Sequence, residues 1–231
     1  MQENPVVAPN RRIKDLGSGA ILASTKYASS LEGHVLRVML KQIHGPWADG
    51  WVLDKHSVRS EYIGDHDSGH PIFNTTRTEV GEALFQLKYR NNWEQAKPLA
   101  QAIFDNIYPK FTSVKMIVPM PASTSRPRQP VSEIAKELGI LVQLPVAENV
   151  LIKAPNETPL KDFRTKEEKF LAIGDSLQIN DRVKEHGPGN VLIVDDLFQT
   201  GASMEAACRV LRTYNKVRDI YVAVLTWGEV K

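Results

Sequence analysis

The alternation of apolar and polar positions predicts the elements of this chain one after another. Residues 1–25 show weak periodicity and are rich in Pro, Asn, Gly and Ser, which predicts a mobile arm. Tyr27, Leu31, Val35, Val38 and Met39 then recur at helical spacing, and His44-Gly45-Pro46 supplies a stop. Trp51–His56 and Ser60–Ile63 predict strands. Ile72 and Phe73 are expected to pair back as a ribbon across the turn-rich stretch Gly64–His70. Thr76 and Glu79 have capping-box spacing, and the helix after them carries an apolar stripe of Val80, Leu84 and Leu87. Trp93 leads into a further helix from Ala96 to Ile107. Val114–Val118 is expected as the first core strand. Pro130 opens a helix with Val131, Ile134, Ala135 and Leu138 on its buried face and Gly139 as its stop. Leu141–Leu144 predicts a second core strand, Ser176–Ile179 a short one, Gly187–Gly189 a turn and Asp219–Leu225 a last buried one.

The strands with most bulk do not alternate, and a strand without alternation is covered on both faces. The fold class expected is therefore α/β with a parallel, Rossmann-like sheet and an N-terminal helix-and-ribbon appendage. The corresponding boundaries are an arm over 1–25, an appendage over 26–79 that could serve as a hood, and the main domain over 80–231. Packing of Trp47, Trp51, Leu53, Tyr62, Ile63 and Phe73 is expected to hold the appendage together.

The most informative stretch is Val191-Leu-Ile-Val-Asp195-Asp196-Leu-Phe-Gln199-Thr200-Gly201-Ala202-Ser203. A buried strand runs into two carboxylates, and a short loop opens a helix whose apolar face is Met204, Ala207, Cys208 and Leu211. Ligands of parallel sheets sit at the carboxyl ends of strands. Gly201 lets the backbone approach an anion, while helix N-terminal N–H groups and the hydroxyls of Thr200 and Ser203 are donors to phosphate oxygens. Carboxylates beside such a cradle suit a sugar phosphate, because they accept from its hydroxyls. The residues alone also fit a Walker-B-like strand or an ordinary strand-to-helix turn.

At these residues the chain resembles the type I phosphoribosyltransferases, whose signature is an apolar strand, two acidic residues and a Thr-Thr-Gly-x-Thr/Ser loop. The resemblance implies the fold of that family and a Mg2+-dependent transfer of phosphoribosyl from phosphoribosyl pyrophosphate to a base or amine, with release of pyrophosphate. It implies that Asp195 and Asp196 hold the ribose hydroxyls, and Mg2+ indirectly through ligand and water, and that Gln199, Thr200, Gly201, Ala202 and Ser203 wrap the 5′-phosphate. Gln199 departs from the usual first Thr. Leu87-Lys88-Tyr89-Arg90 and the Val118-Pro119-Met-Pro121-Ala122-Ser123 run resemble the ComF branch, which is associated with DNA-uptake competence. That likeness implies pyrophosphate contacts from Pro121, Ala122, Ser123, Arg126, Lys88 and Arg90, although Lys88 and Arg90 also read as solvated helix-end charges. Pro127 and Arg128 depart from the branch's Arg-Gly-Phe-Asn-Gln. The long polar segment after Lys153 corresponds to the family's flexible closing loop, with Lys161 and Arg164 as cations for the departing pyrophosphate; a solvated surface loop is the other reading. The expected ligands are phosphoribosyl pyrophosphate or a nucleoside monophosphate. A non-catalytic sensor, or a DNA-processing accessory protein with a nucleic-acid or competence-type protein partner, is the alternative function, and a homodimer stays open.

Composition narrows this picture. The 231 residues, 42% of them hydrophobic, suffice for one α/β core with an appendage. With 29 basic and 27 acidic residues, the net charge of +2 gives no general argument for nucleic-acid or membrane binding. No apolar run approaches the ~18 residues of a membrane span, and Met1–Arg12 lacks an apolar signal core, so a cytoplasmic protein is expected. The single cysteine, Cys208, excludes an internal disulfide and the four-cysteine zinc module common in the ComF branch. His66, Asp67 and His70 are read as a polar hairpin tip, without structural zinc, rather than as a metal site.

Overall fold

A computed structural model describes residues 35–66, 68–124, 126–153, 176–181 and 188–228. The chain divides into Met1–His34 and Val35–Lys231, and all described residues belong to the second unit. In chain order they form β1 (Lys41–Gln42), β2 (Asp49–Lys55), β3 (Ser57–Asp65), β4 (Pro71–Arg77), α1 (Glu79–Tyr89), α2 (Ala96–Asn106), β5 (Val114–Pro119), α3 (Pro130–Val142), β6 (Leu151–Lys153), β7 (Leu177–Ile179), β8 (Gly189–Phe198), α4 (Ala202–Arg212) and β9 (Val217–Trp227).

The central sheet has the order β1-β2-β9-β8-β5. Only β1 runs antiparallel; β2, β9, β8 and β5 are mutually parallel. This is the α/β architecture with a mostly parallel sheet that the unalternating strands predict. Along β8 the side chains divide between the two faces. Leu192 and Val194 pack with Val80, Leu84 and Leu87 of α1, with α2 and with the stripe of α3. Val191 and Ile193 pack with Met204, Ala207, Cys208 and Leu211 of α4. Burial on both sides explains why Val191–Val194 of this strand carries no polar residue. No helix among the described residues is long and apolar enough to cross a membrane.

Several expectations are corrected. Residues 35–40 are not helical, Lys41–Gln42 is strand β1, and the part of the predicted first helix before residue 35 lies outside the described residues. Val52 and Leu53 of β2 are fully buried within the main sheet, where β2 pairs with β9. The main domain thus begins well before residue 80, and what remains of the appendage is the β3–β4 ribbon. Trp47 and Leu53 are buried, but Tyr62, Ile63 and Phe73 stand exposed on the ribbon. The cap of α1 is Thr78, which accepts from Gly81 N–H at 3.0 Å, because β4 pairs as far as Arg77 and delays the helix by two residues beyond the predicted capping box at Thr76. Finally, α3 continues through Leu141 and Val142 to a left-handed Gln143, so the predicted strand there is helix. A Cβ on Gly139 would lie 2.5 Å from Val146 Cγ2, so this glycine serves a close approach rather than a stop. Val146 instead bridges β5 at Ile117.

Candidate functional site

The site arises where β8 outruns β5. Pro119 is the last residue of β5, opposite Val194, and Met120 N–H still donates to the Val194 carbonyl at 2.9 Å. Pro119 and Pro121 lack the N–H a ladder needs, so the chain turns away there. On its other side β8 remains paired with β9 as far as Phe198, opposite Trp227. Asp195 and Asp196 therefore lie within the strand rather than past its tip, on an edge opened by the departure of β5.

A cleft of about 260 Å³ opens beside them. Its walls include Lys88 and Tyr89 of α1, the Met120–Thr124 turn, Arg126, and both aspartates. A second cavity of about 100 Å³ is lined by Asp195, Leu197, Phe198 and residues 199–204. Asp195 is common to both, and so forms the partition between them.

The electrostatics of the pair are asymmetric. Asp196 Oδ2 receives a hydrogen bond from Lys88 Nζ at 2.8 Å, with side chains 20% and 21% exposed. Asp195 Oδ1 accepts from Asp196 N–H at 2.8 Å. Burial first, and then the Asp196 carboxylate, push the Asp195 carboxyl up to about 8; the Asp196 N–H and Lys88 oppose this. Below the pair, Thr226 Oγ1 donates to the Asp196 carbonyl at 2.8 Å and lies 3.3 Å from His56 Nδ1. Burial, with Arg77 and Lys88 nearby, lowers the His56 pKa.

The second cavity has the parts of an anion cradle. Gly201 adopts φ 82°, which turns the chain into α4 without a side-chain cap. Thr200 Oγ1 faces Ala202 N–H at 3.4 Å, and Ser203 is exposed in the first turn. Such a helix start presents donors and positive dipole to an anion. Cys208 is buried behind it, where burial raises its thiol to about 12, so it acts as a small apolar side chain.

Lys88, Pro121, Ala122, Ser123, Arg126, Asp195 and Asp196 thus meet in one cleft, and Gln199 to Ser203 line the adjoining cavity. Arg126 also donates to the Lys88 carbonyl at 3.0 Å, which ties the β5–α3 turn to the end of α1. Arg90 is not a wall of the cleft; its guanidinium lies 5.6 Å from the Phe85 ring. Lys161 and Arg164 lie outside the described residues. So does Asp67, while His66 N–H donates to the His70 carbonyl at 2.8 Å and closes the ribbon tip. No group of three metal-binding side chains occurs among the described residues.

No protein-family model matches the chain, and the search of curated proteins returned no match. Among solved structures, adenine phosphoribosyltransferase from Saccharomyces cerevisiae, complexed with an imino-altritol bisphosphate and adenine, aligns at 14% identity over 72% of this chain and 83% of that one, with a TM-score of 0.38. Adenine phosphoribosyltransferase from Trypanosoma brucei, in complex with AMP, pyrophosphate and ribose-5-phosphate, aligns at 14% identity over 83% and 75%, with a TM-score of 0.45. A hypoxanthine phosphoribosyltransferase from Staphylococcus aureus gives 12% identity over 59% and 65%, with a TM-score of 0.37.

Sequence reasoning missed Thr226 and His56, which stand behind Asp196, and Gln129, whose Nε2 donates to the Thr124 carbonyl at 3.1 Å and braces the turn. Thr226 and His56 belong to no local pattern, and Gln129 falls only within the Arg-Gly-Phe-Asn-Gln comparison. Tyr89, 60% exposed on the cleft wall, was signalled only by its place between Lys88 and Arg90.

Proposed function

We propose that the cleft and its adjoining cavity bind phosphoribosyl pyrophosphate, and that the protein is a Mg2+-dependent phosphoribosyltransferase acting on a base or amine acceptor. The observation that carries this reading is the position of Asp195 between two anion-suited cavities, one with a helix N-terminus and the other with Lys88 and Arg126. A ribose across the partition would set its hydroxyls against the aspartates, its 5′-phosphate against residues 199–203 and its pyrophosphate toward Lys88 and the Pro121–Ser123 turn.

Mg2+ fits the donors present. Among the described residues the two adjacent carboxylates have one ion pair, Lys88 on Asp196, and Mg2+ is typically held by one or two carboxylates with substrate phosphates. When bound, it would stabilise charge developing on the leaving pyrophosphate. Asp195 and Asp196 accept from the ribose hydroxyls and orient the sugar, while Lys88 and Arg126 meet the leaving group as it gains charge. Lys161 and Arg164 remain candidates for the same task.

Calorimetry with phosphoribosyl pyrophosphate and Mg2+, followed by pyrophosphate release with a panel of bases, tests the proposal. Binding and acceptor-dependent release are expected. Asp196→Asn should weaken binding by about 1.5–3 kcal/mol, the value of a charge-assisted hydrogen bond. Absence of binding at millimolar ligand refutes the site. Binding without release from any acceptor selects the non-catalytic sensor instead.

A further inference from the structure

Lys88 and Arg126 are the cations that line the cleft among the described residues, and they are differently committed. Arg126 holds a backbone carbonyl and makes no ion pair among the described residues. Lys88 is bonded through its ammonium to Asp196 at 2.8 Å, while its own carbonyl is fixed by Arg126 at 3.0 Å. Its backbone is therefore anchored, but its head sits on a flexible four-carbon stem with three donors and is free to exchange partners.

The proposed ligand makes competing demands on this pair. Ribose hydroxyls and a divalent cation need the Asp196 carboxylate, whereas a pyrophosphate needs the Lys88 ammonium. In the structure each of the two groups satisfies the other. We propose that Lys88 is a placeholder charge: it neutralises Asp196 while the cleft is empty and transfers to the pyrophosphate when ligand enters, so one ion pair couples anion binding to release of the carboxylate. This rests on the reading of the cleft as a phosphoribosyl pyrophosphate site. It goes beyond that reading by making the pair a barrier to either half of the ligand alone. Free pyrophosphate must break the ion pair without repaying Asp196, and a free cation must displace Lys88 without giving it an anion. The complete ligand with its cation satisfies both released groups together.

The test uses inorganic pyrophosphate without metal, measured by calorimetry on the full chain and on the Asp196→Asn and Asp195→Asn variants. Measured at pH 9, above the raised Asp195 pKa, both variants remove one ionised carboxylate beside the cleft, but only Asp196 holds Lys88. Asp196→Asn should bind pyrophosphate about ten- to a hundredfold more tightly than wild type, as expected when a charge-assisted hydrogen bond need not be broken. Asp195→Asn should show a clearly smaller gain. The predicted sign for Asp196→Asn is opposite to its loss of phosphoribosyl pyrophosphate affinity, since free pyrophosphate has no ribose. Lys88→Met completes a double-mutant cycle: in that background the gain from Asp196→Asn should fall to that of Asp195→Asn. Manganese alone should bind Lys88→Met about ten- to a hundredfold more tightly than wild type, on the same footing. Equal gains from the two aspartate variants, an Asp196→Asn gain undiminished in Lys88→Met, or an unchanged manganese affinity would overturn the placeholder while leaving the ligand site standing. Failure of wild type to bind either phosphoribosyl pyrophosphate or pyrophosphate would overturn both.

Discussion

Asp195 and Asp196 are neighbours in sequence with different electrostatic surroundings, and the difference makes a stability prediction. Asp196 has Lys88, whereas Asp195 is half-buried against a second carboxylate and its pKa is raised. A carboxyl whose folded pKa lies above its unfolded value contributes stability that is fully present below the unfolded pKa, near 3.8, and is lost as pH rises through the folded one, about 8. Asp195→Asn keeps the shape and an oxygen for the Asp196 N–H, but has no charge to desolvate. The ligand-free variant should therefore exceed wild type by about 1–3 kcal/mol at pH 8, with the gain shrinking toward pH 4. Urea unfolding at both pH values measures this; a variant less stable than wild type at pH 8 refutes it. The carboxylate pair itself was legible in the sequence because a charged doublet after four apolar residues has few structural uses. Its asymmetry was not, because Lys88 lies 108 positions away.

Among the elements, the strands and helices with long buried stripes were legible, and those set by tertiary contacts were not. Val80, Leu84 and Leu87 identify α1, and Val191–Val194 identify β8, because burial imposes a period on the sequence. The start of α1 was misplaced because Thr76, with Glu79 three residues on, is locally the better cap, while Thr78 has Gly81 at that position. What selects Thr78 is β2: Thr78 Oγ1 donates to the Lys55 carbonyl at 2.6 Å while accepting from Gly81 N–H. A Cβ on Gly81 would collide with the His56 carbonyl, so helix and strand meet closely there. Thr78→Ala removes both bonds and should cost about 1–2 kcal/mol, the upper range for a lost cap. Thr76→Ala, at an exposed ribbon position, should stay within about 0.5 kcal/mol of wild type. Equal effects of the two changes in chemical denaturation would put the cap where the local pattern had suggested. The same logic explains Leu141 and Leu144: their apolar alternation resembles a strand, but α3 continues as far as Val142 and turns only at Gln143, and Val146 occupies the position beside β5.

At the scale of the molecule, one sheet with two apolar layers does two jobs: it buries β8 and β9 on both faces, and it brings α1, the β5–α3 turn and the β8–α4 loop to one rim. The β3–β4 ribbon takes no part in either layer. Tyr62 is 58% exposed and Phe73 43%, stacked edge-to-face on each other, and no ribbon residue is a wall of the cleft. Its two strands were visible in the sequence, but their apolar residues were assigned to a packed appendage because composition does not distinguish an apolar side chain that is covered from one that is not. Ser60 and Thr75 are paired across the ribbon, and their hydroxyls lie 3.0 Å apart. Replacing residues 61–74 by Asn-Gly would join this pair with a two-residue hairpin turn of the favoured type. Loss of exposed residues that cover no core should change stability by no more than about 0.5 kcal/mol, or about 2 °C in melting temperature for a domain of this size. Affinity for phosphoribosyl pyrophosphate with Mg2+ should also persist, since every proposed contact lies elsewhere. If the ribbon is a hood over the acceptor, the shortened protein will retain that affinity and lose acceptor-dependent pyrophosphate release. Retention of both would dismiss the hood, and a collapse in melting temperature would show that the ribbon shields the core after all.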